Sequence, residues 1–136
     1  MPQILVDTSA WYALLDKTDS FHSNAVELFQ SLTHPIITTN FIADEIITLA
    51  KNRLGHDIAI DIGQKLWNEE VSTLIRITST DEENAWKIFV KYQDKGFSFT
   101  DCTSFAIMER LGIKEVLAFD DHFSQYNDFI ILRLEI

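Results

Sequence analysis

The sequence predicts an α/β fold, a three-layer domain with a mainly parallel central sheet between helices. Short, apolar, β-branched runs such as Ile4-Leu5-Val6, Ile36-Ile37 and Ile130-Ile131 recur along the chain; such runs suit strands buried on both faces. Segments with apolar residues at helical spacing separate them, and parallel neighbours need crossovers of that kind. With only 4 Gly and 2 Pro and 46% hydrophobic positions, no Pro/Gly/Ser-rich linker, repeat or low-complexity tract interrupts the chain. Residues 1–136 therefore read as a single domain, long enough to bury roughly two-thirds of its unfolded surface without disulfides or structural metal.

Ile4-Leu5-Val6 is the first strand and ends at Asp7. A short helix through Trp11, Leu14 and Leu15 follows. Phe21, Ala25, Leu28, Phe29 and Leu32 mark the next helix, which His34-Pro35 stops ahead of a strand from Ile36 to Thr38. Phe41 to Leu54 is amphipathic, with Ile42, Ile46, Leu49 and Ala50 on its apolar stripe and Gly55 closing it. Asp57 to Asn68 is predicted as its helical partner, with Ile58, Ile62 and Leu66 inward. Ser72 to Thr78 reads as a strand, and Thr80-Asp81-Glu82-Glu83 has the pattern of a capping box opening a helix through Ala85, Ile88, Phe89 and Tyr92. Ser98 to Leu111 is a further helix carrying Phe105, Ala106 and Met108 and stopped by Gly112. Glu115 to Phe119 and Phe129 to Leu134 complete the strands.

Eleven Lys and Arg against 21 Asp and Glu give a net charge of −10. A protein that coats phosphate backbones is basic, so this balance argues against a promiscuous nucleic-acid binder. No apolar run approaches the roughly 20 residues a bilayer span needs, and Met1-Pro2-Gln3 enters the first strand without a basic start or a cleavage site. Cys102 is the only cysteine, which allows no intrachain disulfide and no cysteine-based zinc site. A location in the reducing cytoplasm is expected, away from any membrane.

Ligands of open parallel sheets bind at the carboxyl ends of the strands, which directs attention to the acids there. Asp7 follows the first strand, and Asp120 and Asp121 follow the strand ending at Phe119. Asp101 lies in the first turn of the Ser98 helix, and Glu45 borders the apolar stripe of the Phe41 helix while Asp44 points away. Each acid has a structural explanation: an N-cap for Asp7, a capping box for Asp101, a turn for Asp120 and Asp121. Their convergence on one sheet edge is the more economical account. Four carboxylates in one pocket repel one another unless a cation lies between them, and oxygen-only ligands favour Mg²⁺ or Mn²⁺ over zinc. His22, His34, His56 and His122 are scattered along the chain and are expected in surface or packing roles.

Ile4-Leu5-Val6-Asp7-Thr8-Ser9-Ala10, Glu45 in an apolar helix, Phe99-Thr100-Asp101-Cys102-Thr103-Ser104-Phe105-Ala106 and Leu117-Ala118-Phe119-Asp120-Asp121-His122-Phe123 occur in that order. Together they closely resemble the PIN domain, in particular the VapC-type toxins of type II toxin–antitoxin systems, over essentially the whole chain. The resemblance implies a three-layer α/β/α PIN-like fold and a metal-dependent endoribonuclease that hydrolyses RNA phosphodiester bonds. It matches Asp7, Glu45, Asp101 and Asp120 to the family's catalytic and metal-binding acids, and Thr8, Ser9 and Thr100 to supporting hydroxyls. Asp7, Asp101 and Asp120 would hold Mg²⁺ or Mn²⁺, with Glu45 completing the shell or positioning the attacking water; the carboxylate count permits one metal or two. Asp121 reads as a solvated turn residue or an outer partner, and Cys102 as a packing residue.

The resemblance further implies an RNA substrate, a homodimer and a cognate antitoxin protein whose tail occupies the acidic pocket. Trp11, Tyr12 and Phe21 suit either that interface or the core, with the core expected. Lys87, Lys91 and Lys95 follow one another at helical spacing and are read as a solvated face. The alternative is a non-toxin PIN-fold RNA-processing or interaction module. A receiver-like signalling domain is disfavoured, because it wants paired acids after the first strand and a lysine near the position of Asp120.

Overall fold

A computed structural model describes residues 2–134. Ile4, Leu5 and Val6 are all buried, and the strand they form, β1 (Ile4–Val6), lies in the middle of the sheet. α1 (Thr8–Leu15) and α2 (His22–Ser31) lead to β2 (Ile36–Thr39), and α3 (Asn40–Leu54) and α4 (His56–Trp67) lead to β3 (Thr73–Ile75). α5 (Ser79–Lys91) and α6 (Phe99–Leu111) precede β4 (Glu115–Leu117), and the short α7 (His122–Tyr126) precedes β5 (Ile130–Ile131). All pairings are parallel, in the order β3-β2-β1-β4-β5, with Leu5 opposite Ile37 on one side and Val116 on the other. The chain winds outward from β1 to β3 and then returns to β4, so the order switches between β1 and β4. That is the place where open α/β sheets leave a crevice.

The helices follow their local signals. Thr39 caps α3 by accepting from the Ile42 amide at 3.0 Å, and Gly55, at φ 105°, takes a conformation closed to other residues while turning α3 into α4. α5 and α6 each begin with a reciprocal capping box, Thr78 with Asp81 and Ser98 with Asp101. Trp11, Phe105 and Phe123 are the largest side chains of the core, packed with Leu5, Ile37 and Leu117. No helix among the described residues is long and apolar enough to cross a membrane.

Several elements depart from expectation. The box of α5 starts at Thr78, not Thr80, because Asp81 reaches back to the Thr78 amide. α4 turns Ala59, Ile62, Gly63 and Leu66 inward while Ile58 is exposed; a Cβ at Gly63 would stand 3.3 Å from the end of the Ile47 side chain, closer than ordinary contact. β3 and β5 are shorter than their β-branched runs, since each is an edge strand with one pairing partner. Lys95 lies beyond the end of α5, so only Lys87 and Lys91 share that helix. Trp11 is buried as expected, whereas Phe21 is exposed and stacks on Phe119.

Candidate active site

The carboxyl edge of the sheet collects the acids from four separate elements. Asp7 leaves β1 in extended conformation and caps α1, its Oδ2 accepting from the Ser9 amide at 3.3 Å and the Ser9 hydroxyl at 2.8 Å. The same hydroxyl accepts from the Phe119 amide at 3.0 Å, which ties the end of β1 to the chain leaving β4. The next residue, Asp120, accepts from the His122 amide at 3.0 Å and remains half-buried. Asp101 is buried at the start of α6, where its Oδ2 accepts from the Ser98 amide at 2.9 Å. Glu45, in the second turn of α3, is half-buried, while Asp44 beside it is exposed.

One donor atom from each of Asp101, Asp120 and His122 lies within 4.8 Å of the others. His122 Nδ1 is 2.7 Å from Asp101 Oδ2 and 3.8 Å from Asp120 Oδ2. Neither contact is aligned as a hydrogen bond, so this buried nitrogen has no directed partner. The Thr8 hydroxyl is likewise buried and without a hydrogen bond, although it faces Glu45.

The electrostatics follow from burial. Desolvation, reinforced by the charges of Asp120 and Asp101, pushes the Asp7 carboxyl up to about 8 against the opposing Ser9 bonds. Burial also raises Glu45, with Asp101 and Asp120 adding to it while the Thr8 and Thr100 hydroxyls oppose it. Asp101 is raised by burial too, less so because the Ser98 amide and His122 favour its charged form. Among the described residues, no Lys or Arg forms an ion pair with any of these four acids. The pocket holds more carboxylate than its own cations neutralise, and it presents a hard, oxygen-rich donor set with one imidazole and an unpartnered hydroxyl. Those residues fit a divalent cation.

The PIN domain model matches residues 4–128. The chain belongs to the PIN domain family. It is 37% identical over 124 residues to the 23S rRNA-specific endonuclease VapC20 of Mycobacterium tuberculosis, covering 89% of this chain and 92% of that protein. The crystal structure of VapC20, described as a sarcin–ricin loop cleaving toxin, superposes with a TM-score of 0.90 at 35% identity, over 96% of this chain and 99% of that one. At 10% identity, VapBC2 of Rickettsia felis, bound to a DNA fragment from its promoter, shares the fold with a TM-score of 0.69, over 98% of this chain and 99% of that one. The fold is thus the three-layer α/β/α arrangement of PIN domains.

In this PIN domain the structure brings Asp101 and Asp120 together with His122 and sets Asp7 and Glu45 near enough to feel the charges of both, with Ser9 bonded to Asp7 and Thr8 and Thr100 beside Glu45. Asp121 is exposed at the start of α7. Cys102 is buried, and burial together with the Asp101 charge pushes its thiol up to about 11, so it packs rather than reacts. His122 is the residue whose place sequence reasoning missed: besides packing edge-on against Phe97, it sits in the acid cluster. Its position two residues after Asp120, past a strand end, was the available signal.

Proposed function

We propose that this PIN domain is an Mg²⁺- or Mn²⁺-dependent endoribonuclease, the toxin of a VapC-type type II toxin–antitoxin pair, and that its substrate is structured ribosomal RNA. The observation that carries this reading is a set of four acids at the switch point of the sheet with, among the described residues, no Lys or Arg paired to them. Resemblance to a 23S rRNA-specific endonuclease over nearly the whole chain supports the substrate class. The acidic balance also fits a narrow structured target better than indiscriminate backbone binding.

Asp7, Asp101 and Asp120 would hold the ion, with Glu45 completing the shell or positioning the water. When bound, the ion neutralises charge on the scissile phosphate and lowers the pKa of water. The protein's own contribution is orientation. Ser9 fixes Asp7 and, through Phe119, the approach to Asp120; the Ser98 box fixes Asp101. Glu45, with its raised carboxyl, positions the attacking water and takes up its proton.

The partner is an antitoxin protein that places a basic side chain in the acid pocket, and the active form is a cytoplasmic homodimer. A toxin–antitoxin complex of Klebsiella pneumoniae that shares this fold supports the pairing. The deciding experiment is cleavage of a synthetic sarcin–ricin loop hairpin and of a structured RNA pool by wild type and Asp7→Asn in Mg²⁺, Mn²⁺ and EDTA. Metal-dependent cutting lost in the variant is expected. A folded wild type that leaves all RNA intact and takes up no Mn²⁺ in calorimetry would overturn the nuclease reading in favour of an interaction module.

A further inference from the structure

Four aromatic rings make a continuous run that begins outside the acid pocket and ends at it. Trp86 stacks on Phe89 with ring centres 5.8 Å apart, Phe89 meets Phe99 edge-on at 6.2 Å, and Phe99 meets Phe41 at 6.0 Å. The inner end reaches the site through Phe41, which lies one helical turn before Glu45 on α3; Phe99 and Phe41 are both half-buried. On a helix, side chains four apart share a face, and each leans toward the amino end. Glu45 therefore leans toward Phe41.

The outer end is not part of the core. Trp86 is 58% exposed, Phe89 41% and the adjoining Val90 57%. Large apolar side chains left in water beside a functional pocket mark a binding surface. A hollow of about 340 Å³ opens along this stretch between Trp86, Phe89, Tyr92 and Phe97.

The occupant follows from the ribonuclease reading. A chain of net charge −10 offers few phosphate contacts, so part of its affinity for RNA has to come from interactions that do not depend on charge. Stacking of unpaired bases on aromatic faces is such an interaction. Lys87 and Lys91 project from the same helix as Trp86 and Phe89, both exposed and, among the described residues, without an ion pair. They give a backbone laid along α5 its positive contacts, while Glu82 and Glu83 at the start of the helix close the far end.

We propose that Trp86, Phe89, Phe99 and Phe41 form a nucleobase platform, on which unpaired bases next to the scissile phosphate stack as the strand enters the acid pocket. The proposal rests on the ribonuclease reading and deepens it by naming how an acidic enzyme holds its RNA. Trp86→Ala and Phe89→Ala each weaken binding of the sarcin–ricin loop hairpin, read by fluorescence anisotropy in the non-cleaving Asp7→Asn background, by about tenfold. Trp86→Phe, which keeps a stacking face, restores most of the loss. The ratio between variant and parent stays constant as salt is raised, although both affinities fall. If wild type cuts the hairpin but both alanine variants bind and cut it equally well, the platform is wrong and the ribonuclease reading stands. If wild type cuts no RNA, the ribonuclease reading itself falls. Conversion of a dimer to a monomer by Trp86→Ala, with RNA affinity unaltered, would assign the surface to a second copy of the chain and overturn the proposal.

Discussion

Asp81 and Asp101 occupy the same position in the same capping box, the third residue of α5 and of α6, and both are buried. Each accepts from its cap's backbone amide at 2.9 Å and donates its own amide to the cap's hydroxyl. Their surroundings separate them. Burial pushes Asp81 up, but Arg110, whose Nε and Nη2 reach its two oxygens at 2.7 and 3.0 Å, outweighs that with help from Thr78, and the carboxyl ends below its ordinary range. Asp101 meets His122, Asp120 and Asp7 instead, and ends above it. One box is a finished ion pair that joins α5 to α6; the other faces an imidazole and further acids and, among the described residues, no Lys or Arg. The local motif supplies a buried carboxylate, and the element packed against it decides whether that carboxylate is structure or chemistry.

The sharpest way to break this comparison is to remove each charge. Asp101→Asn is expected to lower RNA cleavage by about a thousandfold, the scale of losing a group that acts in the transition state. Asp81→Asn should leave the rate within about threefold while costing about 1–3 kcal/mol of stability, since Arg110 loses its charged partner but keeps partial access to solvent. Initial rates and urea denaturation separate the two. A strong rate loss in Asp81→Asn at full folding would make α5 part of the catalytic machinery.

The next largest effect lies in the pH dependence of stability without metal. Asp7 titrates at about 8 in the fold against 3.8 as its ordinary value, so the folded state holds a proton that the unfolded chain releases throughout that window. Its contribution is fully present below the lower value and is lost as pH rises through the upper one, with a slope approaching about 1.4 kcal/mol per pH unit in between. Asp81, held below its ordinary value, runs the other way and weakens the fold only as pH falls through its folded position. Thermal melts in EDTA should therefore show the midpoint falling from pH 5 toward about pH 8. Asp7→Asn should flatten that fall and raise the midpoint at the alkaline end. Saturating Mn²⁺ should do the same for wild type and release protons at neutral pH, detected by calorimetry in buffers of different ionisation enthalpy. A melt independent of pH across this range would mean that Asp7 is not held protonated.

The difference between the two boxes is also where sequence reading stopped. Asp7, Glu45, Asp101 and Asp120 were legible because strand ends and first helical turns can be placed from apolar runs and caps, and a parallel sheet brings its carboxyl ends to one edge. The parallel fold itself followed from the same alternation. Thr78-Ser79-Thr80-Asp81 and Thr80-Asp81-Glu82-Glu83 are equally good boxes on paper; the first forms because its Asp meets Arg110, 29 residues further on. His122 carries no periodic signal, sits in a helix of only five residues, and acquires its role from α6 packing beside it. Ile58 follows helical spacing yet faces water, because α4 turns Gly63 toward Ile47 so that its backbone can approach α3. Contacts between separate elements decided each of these.

The smallest predicted effect tests whether the cap of α6 also orients a ligand. Thr78→Ala and Ser98→Ala each remove one cap hydroxyl, and each should cost about 1 kcal/mol. At α5 nothing further is lost, since Arg110 still grips both oxygens of Asp81. At α6 the Ser98 hydroxyl and amide are the directed hydrogen bonds that hold the Asp101 segment in register, because the His122 contact is not aligned as one. Ser98→Ala should therefore weaken Mn²⁺ binding by about tenfold, the scale seen when a partner of a metal ligand is removed, while Thr78→Ala leaves it unchanged. Calorimetric titration of the two variants, matched for folded fraction, reads the difference directly. Equal affinities would mean that Asp101 is oriented by its packing in α6 alone, and that the two capping boxes differ only in the charge that faces them.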